Sequence, residues 1–470
     1  MKEKYTLKRR NLLRIFFLAI FTFAFGWIIK REGENTISQW GDSGKVTGKN
    51  RELGTDEIKL LTELLEKKVD DLEQRAVSIG NFPLIIPESD DSPRIQRAID
   101  RVFELGGGIV FIPRGTYTIS TPIQLRNYVS LHGAGGRHTR LKKKAGSLGN
   151  IIEYKQEDTS YIFNITIKDF AIFGTGETVD VTNNGLVLNH YWGIDGAVVE
   201  NIIICDCGGT GLIVEPSPVN TLESEKMVLQ QSMFKNINIE HCGNSAYIKG
   251  FVGNVQWDSC TFDWCIGTAF ESRIGENGNG PQDNTFINCS FQHAKKGFHA
   301  VGHFINVNFY GCHFENNTEY GVHINTSSTG NVNFDGTGFY TCPSAVYFEK
   351  FSHKASFRSC TWKALTPNSV TERFIKVNKG LAGIIFIDAG QHFVNSIPTK
   401  VEDPSYCVRG FIAMDTVYTT DVIKAYKSFG LNVSSAASTE KNSIFIDSDG
   451  VLKFKNSKGI VQALYNSTSK

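Results

Sequence analysis

The chain lacks a charge imbalance. Its 49 Lys and Arg stand against 48 Asp and Glu, for a net charge of +1 at pH 7, so no basic excess marks a nucleic-acid partner. It also lacks CxxC pairs and the clustered His–Cys spacings of zinc modules; Cys205-x-Cys207 is the nearest approach, which argues against a metal site of that kind. No tight aspartate cluster suggests a calcium loop. What the chain has in excess is phenylalanine, 33 residues, and glycine, 45 residues. That pairing suits stacked aromatic ladders joined by tight turns.

The N-terminus carries Lys2, Lys4, Lys8, Arg9, Arg10 and Arg14 ahead of an apolar run, Ile15–Ile29, closed by Lys30 and Arg31. Basic residues before the run place the N-terminus in the cytoplasm and the rest outside. Residues 1–31 therefore read as a cytoplasmic tail and transmembrane signal anchor, giving a single-pass cell-membrane protein. A cleaved signal peptide and secretion are the alternative, though Ala24-Phe25-Gly26 is a poor cleavage site and Trp27, Ile28 and Ile29 continue the run past it. Residues 32–55 read as a flexible linker. Residues 56–76 read as a charged stalk helix with Ile58, Leu61, Leu65 and Leu72 at near-heptad spacing, which Lys68 interrupts. It fits either a solvated helix or a small oligomerising coil.

The most informative stretch is Asp90–Gly135. Ser92 fits a helix N-cap with Pro93 in the first helical position. Ile95, Ala98, Ile99 and Val102 then form one apolar stripe, and Gly106, Gly107 and Gly108 end the helix. Short strands follow at Ile109–Ile112, Thr116–Ile119, Ile123–Leu125 and Val129–Leu131, parted by turn residues around Pro113, Gly115 and Pro122. A helix followed by a run of very short strands predicts a coiled β-solenoid with its lid.

The residues Ile95-Gln96-x-Ala98-Ile99-Asp100, the triple glycine, Ile112-Pro113-x-Gly115-x-Tyr117 and Leu131-x-Gly133-x-Gly135 resemble the N-terminal cap of the pectate-lyase-like superfamily. That group includes rhamnogalacturonase-related and phage tail-spike proteins. The resemblance implies an all-β, single-stranded right-handed parallel β-helix with an N-terminal capping helix, and a polysaccharide as partner. One departure is the missing DFGA-x-GDG-type strand and turn, for which Val77–Ser92 stands instead. Trimers are typical of tail-spike-like proteins, so the resemblance extends to a homotrimer assembled through the stalk.

Internal repetition supports the solenoid. A seven-residue motif returns as Asn201-Ile-Ile-Ile-Cys-Asp-Cys207, Asn236-Ile-Asn-Ile-Glu-His-Cys242, Ser259-Cys-Thr-Phe-Asp-Trp-Cys265 and Asn288-Cys-Ser-Phe-Gln-His-Ala294. It continues as Gly311-Cys-His-Phe-Glu-Asn-Asn317 and Gly336-Thr-Gly-Phe-Tyr-Thr-Cys342, shortens at Ser359-Cys-Thr-Trp362, and has a first instance at Asp169-Phe170-Ala171-Ile172. One motif per coil predicts about eight coils, spanning 77–395. The fourth column (Ile204, Ile239, Phe262, Phe291, Phe314, Phe339, Trp362) and the second (with Cys260, Cys289, Cys312 and Cys360) face inward by strand alternation. The cysteines then act as small buried hydrophobes; a bridge such as Cys242–Cys265 is the competing reading.

The fifth column points outward and carries Glu240, Asp263 and Glu315. Neighbouring coils set carboxyl groups about 5 Å apart and alternate coils about 10 Å apart, near the spacings of retaining and inverting glycosidases. These three are the candidate acid, base or nucleophile; a solvated polar face is the bland alternative. Trp264, His241 and His293 in the next column, with Tyr247, Trp257 and Tyr310 in the same coils, could hold sugar rings and hydroxyls. Arg273, in the glycine-rich loop Glu271–Asp283, could bind a uronate carboxylate. His299, His303, His313 and His323 fit a mixed surface. No cofactor is expected for a hydrolase; a lyase would need a base for the C5 proton and a cation such as Ca2+. The polygalacturonase-like combination of Asn-Thr-Asp, Asp-Asp, Gly-His-Gly and Arg-Ile-Lys is not found at suitable positions.

Residues 396–470 read as a C-terminal β-rich cap, with strand pairs turning at Asp449-Gly450 and Lys458-Gly459. The leading expectation is an extracytoplasmic glycoside hydrolase or polysaccharide lyase acting on a uronic-acid-containing or cell-wall glycan. The alternative is a non-catalytic glycan-binding or spike-like β-helix.

Overall fold

The computed structural model describes residues 63–64, 76–155, 161–190, 193–217, 228–326, 330–365, 372–388 and 391–394, with short strand segments beyond. The expected tail and anchor (1–31), the linker (32–55) and most of the stalk (56–76) lie outside these. Glu63 and Leu64 are helical and exposed, and Ala76 already belongs to a strand. Among the described residues no helix is long and apolar enough to cross a membrane.

A parallel coil starts at Ala76–Ser78, which pairs with Ile109–Phe111, and parallel pairing runs on to Val408–Arg409 against Ile385–Phe386. A full turn consists of three short strands, as in Gln256–Asp258, Thr261–Asp263 and Thr268–Arg273; these are the first, second and third arms below. Third arms stack into one sheet of eleven strands, from Ile123–Leu125 to Val401–Glu402. The coil is therefore longer than the motif count indicated, and it continues past the expected boundary at 395. The motif marks only turns whose second arm is built from it, so the first and last turns escaped the count.

The repeat owes its pattern to backbone bends. Position one of the motif has positive φ in Asp169 (64°), Asn201 (54°), Asn236 (50°), Ser259 (54°), Asn288 (52°) and Gly311 (60°), and position six in Asp206 (59°), His241 (54°), Trp264 (44°), His293 (47°), Asn316 (52°) and Thr341 (54°). Left-handed backbone is tolerated by Gly and by short polar side chains that bond locally. Each motif is thus a strand held between two left-handed corners. Stacking ties the corners together: Asn236 Nδ2 donates to Asn201 Oδ1 at 2.8 Å, and Asn201 Nδ2 to Asp169 Oδ1 at 2.9 Å.

Inside, the expected fourth column is observed in register. Phe262, Phe291, Phe314 and Phe339 stack with centroids 5.1, 4.8 and 5.3 Å apart. A second ladder from the first arms, Phe286, Phe309, Phe334 and Phe357, stacks at 5.1, 5.1 and 4.7 Å and meets the first edge to face. Trp257 is buried in this core rather than offered to a ligand.

The nine described cysteines are buried and free, so the Cys242–Cys265 bridge is not formed. Parallel turns hold like positions about 4.8 Å apart, wider than the Cβ separation a disulfide prefers. The second-column thiols have another task. Cys260, Cys289, Cys312 and Cys360 donate to the carbonyls of Phe234, Trp257, Phe286 and Phe334 at 3.4, 3.3, 3.4 and 3.7 Å. Thr337, in the same column, makes the equivalent bond to Phe309 O at 3.1 Å. From Cys260 to Cys360 this column is filled by small side chains with one donor, whereas Phe170, Ile202 and Ile237 fill it with apolar bulk in the earlier turns.

The helix forms over Ser92–Glu104 and buries Ile95, Ala98, Ile99 and Val102. Its N-cap is Asp91, not Ser92, and Pro93 is the second helical residue. Ser92 is drawn off because its hydroxyl accepts from the Ser120 and Thr121 amides at 2.9 and 3.3 Å, while Gln96 exchanges two bonds with the Gln124 backbone. Gly106, Gly107 and Gly108 are left-handed as expected, at φ 89°, 113° and 137°, and a Cβ on Gly107 would lie 2.7 Å from that of Tyr128. Near the end of the chain, Ser443–Ile446, Leu452–Lys455 and Val461–Tyr465 pair antiparallel in sequence; Asp449, Gly450 and Gly459 of the expected turns lie outside the described residues.

Two substitutions test this account of the interior. Phe291→Ala should cost about 3–5 kcal/mol in denaturant unfolding. Cys289→Thr should stay within about 1 kcal/mol of wild type, whereas Cys289→Val, with no donor for the Trp257 carbonyl, should lose about 1 kcal/mol more; a Val variant as stable as the Thr variant would contradict the donor role.

Candidate functional site

Two outward lines of side chains run along the coil. On the second arm, strand register aligns Cys205, Glu240 and Asp263, and then Gln292, Glu315 and Tyr340, as the motif implied. Asp263 is tightly held. Its Oδ1 accepts the Trp264 amide at 2.7 Å and faces His293 Nδ1 at 2.8 Å, and its Oδ2 accepts Gln292 Nε2 at 3.1 Å. Asn316 Nδ2 lies 3.2 Å from His293 Nε2, and Thr341 donates to Asn316 Oδ1. The result is one polar ladder from Thr341 to Asp263. Glu240 accepts the Cys205 thiol at 3.3 Å, and His241 lies 3.9 Å from Glu177. Trp264 stacks on His293 with centroids 4.0 Å apart.

The third arm carries the other line. Register places Tyr247, Glu271, His299, His323, Tyr347, Lys376 and Glu402 above one another. Their rings form a continuous stack: His299 on His323 at 4.6 Å, His323 on Tyr347 at 4.9 Å, and Lys376 Nζ over Tyr347 at 4.9 Å. At the other end Arg273 pairs with Glu271 and lies 5.4 Å from the centre of the Tyr247 ring. His323 Nε2 bonds Glu349 Oε2 at 2.8 Å. His299 Nε2 and His323 Nδ1 are buried with no hydrogen-bond partner among the described residues. The glycine-rich loop leaves this arm directly after Arg273, and Lys249 holds its Glu276 at 3.2 Å.

Titration properties separate the two lines. Burial pushes the Tyr247 hydroxyl up to about 12, helped by Glu215 and Glu271 and opposed by Arg273. Burial also raises the Glu215 carboxyl. His299 is held down to about 3 by desolvation, then by Lys296 and the neighbouring His323 and Arg273. His323 is lowered by burial and Lys296 against the pull of Glu349. Clustered perturbed groups are a physical signature of a functional site, and Tyr247, His299 and His323 form such a cluster on the third arm.

The nine candidate residues therefore divide. Glu240, Asp263 and Glu315 share the second arm, with His241, Trp264 and His293 at the corner after it. Tyr247 and Arg273 belong to the third arm, and Tyr310 ends a first arm, 43% exposed. His299 and His323, expected on a mixed surface, share this line with Glu271 and Tyr347, for which no role was expected. The usable signal was the second repeat, the pattern around Gly321-Val-His-Ile, which follows each motif and whose outward position stacks just as regularly. Among the described residues no three His, Cys, Asp or Glu side chains are placed to hold a metal ion.

Neutral histidines in the fold give a pH dependence with a definite sign. His299 (about 3), His190 (about 4) and His323 all titrate below the ordinary 6.5. An unfolded chain binds these protons first, so the stability they contribute is complete above pH ~6.5 and is lost as pH falls towards 4 and below. Melting temperature measured across this range should be flat at neutral pH and fall below pH ~6.5, less so in His299→Gln. A profile unchanged down to pH 4 would contradict burial of neutral imidazoles.

Residues 88–176 match the sequence model of the family described as rhamnogalacturonase A/epimerase, pectate lyase-like. The chain is 30% identical over 147 residues to mannuronan C5-epimerase AlgE3 of Azotobacter vinelandii, covering 28% of this chain and 8% of that protein. It spans less than a third of the length of each of the four curated epimerases it matches. Among solved structures, ORF18 of Geobacillus virus E2 superposes with a TM-score of 0.57 at 17% identity, over 96% of this chain and 98% of that one. The tailspike protein gp49 from Acinetobacter baumannii bacteriophage Fri1, described as a capsular polysaccharide depolymerase, gives 0.53 at 14% identity, over 76% and 66%. At these identities the structures speak to the fold. The resemblance read from Asp90–Gly135 thus holds: residues 88–176 match the pectate-lyase-like model of the rhamnogalacturonase A/epimerase kind, and the chain shares its parallel coiled fold with ORF18 and with the gp49 tailspike.

Proposed function

We propose that this protein is an extracytoplasmic, polysaccharide-active β-helix that takes a uronic-acid-containing glycan along its third-arm face. The observation that carries this reading is the stacked line Tyr247, Glu271, His299, His323 and Tyr347, with its basic rim of Lys249, Arg273, Lys296 and Lys376. Rings and hydroxyl-binding groups suit a sugar chain, and cations suit its carboxylates. The coil is right-handed on this reading, as parallel crossovers nearly always are, and the Ser92–Glu104 helix covers its first turn.

The arrangement favours chemistry at C5 of a uronate over hydrolysis. Hydrolysis needs one protonated and one ionised carboxyl group flanking the bond, and three carboxylates of these two lines are already engaged: Asp263 by three donors, Glu271 by Arg273, Glu349 by His323. Proton abstraction from C5 needs a base and a cation that stabilises the charge developing on the carboxylate. Tyr247 and His299 are the proton-handling candidates, with Arg273 and Lys296 facing the carboxylate. The carbanion then either expels the substituent at C4, leaving an unsaturated uronate, or takes a proton back on the opposite face. The mannuronan epimerases named above act at C5 by their titles, which supports the same class. Glu240, Asp263 and Glu315 remain the hydrolytic alternative, and a homotrimer through residues 56–76 remains the proposed assembly.

The full chain incubated with polymannuronate and polygalacturonate should yield unsaturated uronates, each with one new reducing end, or C5 inversion seen by NMR without cleavage; reducing ends released without unsaturation would mark hydrolysis. Tyr247→Phe and His299→Ala should each lower the rate roughly 100- to 10,000-fold. Activity that survives both but is lost in Asp263→Asn would move the site to the second arm. Saturable binding with no product in wild type would leave a glycan-binding spike.

A further inference from the structure

The first turns of the coil carry a charge asymmetry that the balanced whole conceals. Between Glu104 and Glu153 the chain has no acidic residue, while four arginines and three lysines fall in that interval. The strand Thr139–Lys143 turns Thr139, Leu141 and Lys143 inward and leaves Arg140 and Lys142 exposed. Lys144 follows on the same outward parity with its side chain 43% exposed. Alternate residues of a strand stand about 7 Å apart, so Arg140, Lys142 and Lys144 form a row of cations along one outward edge. Buried Lys143 ties down the loop beyond, donating to the Leu148 and Asn150 carbonyls at 2.8 and 3.0 Å.

A second loop meets the end of this row. Lys144 Nζ donates to Ser89 Oγ at 3.2 Å, Asp91 and Thr118 exchange two bonds at 2.8 and 2.6 Å, and Arg97 donates to Pro83 O at 2.8 Å. Between these fixed ends the backbone folds on itself: the Glu88 amide donates to Ile85 O at 2.6 Å, and the Ile85 amide to Glu88 Oε2 at 2.7 Å. What the turn holds out is apolar. Leu84, Ile85 and Ile86 are 49, 55 and 97% exposed. The acids of the loop are engaged, Glu88 by Arg97, Asp91 by Arg94, and Asp90 in a buried cluster with Ser92 and Ser120. Ile86 is three residues from Ser89, at most about 10 Å of chain. The apolar tip and the basic row are therefore neighbours.

Three consecutive aliphatic side chains held in water cost the fold apolar surface and return nothing to it. Beside a row of cations they have the composition of an interfacial membrane contact. There, apolar side chains enter the boundary between headgroups and acyl chains, and lysine and arginine meet anionic headgroups. A polyuronate would engage the cations but has no use for a leucine and two isoleucines. We propose that this end of the coil docks on the surface of a bilayer containing anionic lipid. Leu84, Ile85 and Ile86 form the inserting tip, and Arg140, Lys142 and Lys144 make the headgroup contacts. The contact belongs to the coil itself, separate from the third-arm face and from whatever residues 1–31 do.

The test places an environment-sensitive fluorophore on Leu84→Cys in the full chain. Labelling is done under native conditions, in which the nine described cysteines are buried, and the unsubstituted chain treated alike gives the background. Vesicles of phosphatidylcholine and phosphatidylglycerol in equal parts should brighten the emission and shift it to the blue, and acyl-brominated lipid should quench it. Phosphatidylcholine alone should do neither. The signal is local to the tip, so entry of residues 15–29 into either bilayer does not imitate it. Arg140→Gln combined with Lys142→Gln should lower the ratio of docked to undocked tip roughly tenfold or more, at unchanged melting temperature because both side chains are exposed. The proposal is overturned by emission indifferent to vesicles, by an equal response to phosphatidylcholine alone, or by an undiminished response in the Gln pair. The same blue shift produced by polygalacturonate without lipid would give the basic row to a glycan and also overturn it. So would a melting temperature that falls with the docked fraction, which would assign the two cations to the fold.

Discussion

The stacking of each turn on the one before it is the constraint on which everything else depends. Parallel hydrogen bonding fixes the spacing of turns, so any residue type placed at a given position meets its like one turn on. That single rule explains why phenylalanine sits on phenylalanine, why an asparagine corner bonds an asparagine corner, and why thiols with nowhere to bridge donate to carbonyls instead. Left-handed corners would be unfavourable one at a time. Repeated in register, they are held by the ladder above and below.

The same rule organises the surface. An outward position becomes a line, and the members of a line of titratable groups desolvate one another. His299 and His323 stay neutral because each is covered by its neighbour's ring as well as by the chain. Along the second arm the rule works differently. There the outward acids meet amides and an imidazole, and Asp263 ends with its oxygens filled. A row of carboxylates that looks catalytic in a column of letters is, at Asp263, a hydrogen-bond ladder.

Much of the fold was legible because local and repeating signals coincide. The Gly106–Gly108 stop, the strands as far as Leu131 and the inward columns follow from capping, turn chemistry and alternation, and the structure repeats them within a residue or two. Ser92 was misread because a cap rule sees only the helix; the strand residues Ser120 and Thr121 compete for its hydroxyl. The length of the coil was misread because its ends keep the backbone pairing while losing the motif.

The amino-acid sequence by itself determined the parallel coil, its aromatic interior and the identity of what stacks on what, since these depend on periodicity along the chain. Only the tertiary structure decided which outward line is desolvated, which carboxylates are already bonded, and that Trp264 stands half exposed at a strained corner. Those properties depend on how far the three arms turn relative to one another and on which loops cover them. Side chains some twenty to thirty residues apart set them jointly, and no single repeat contains both partners.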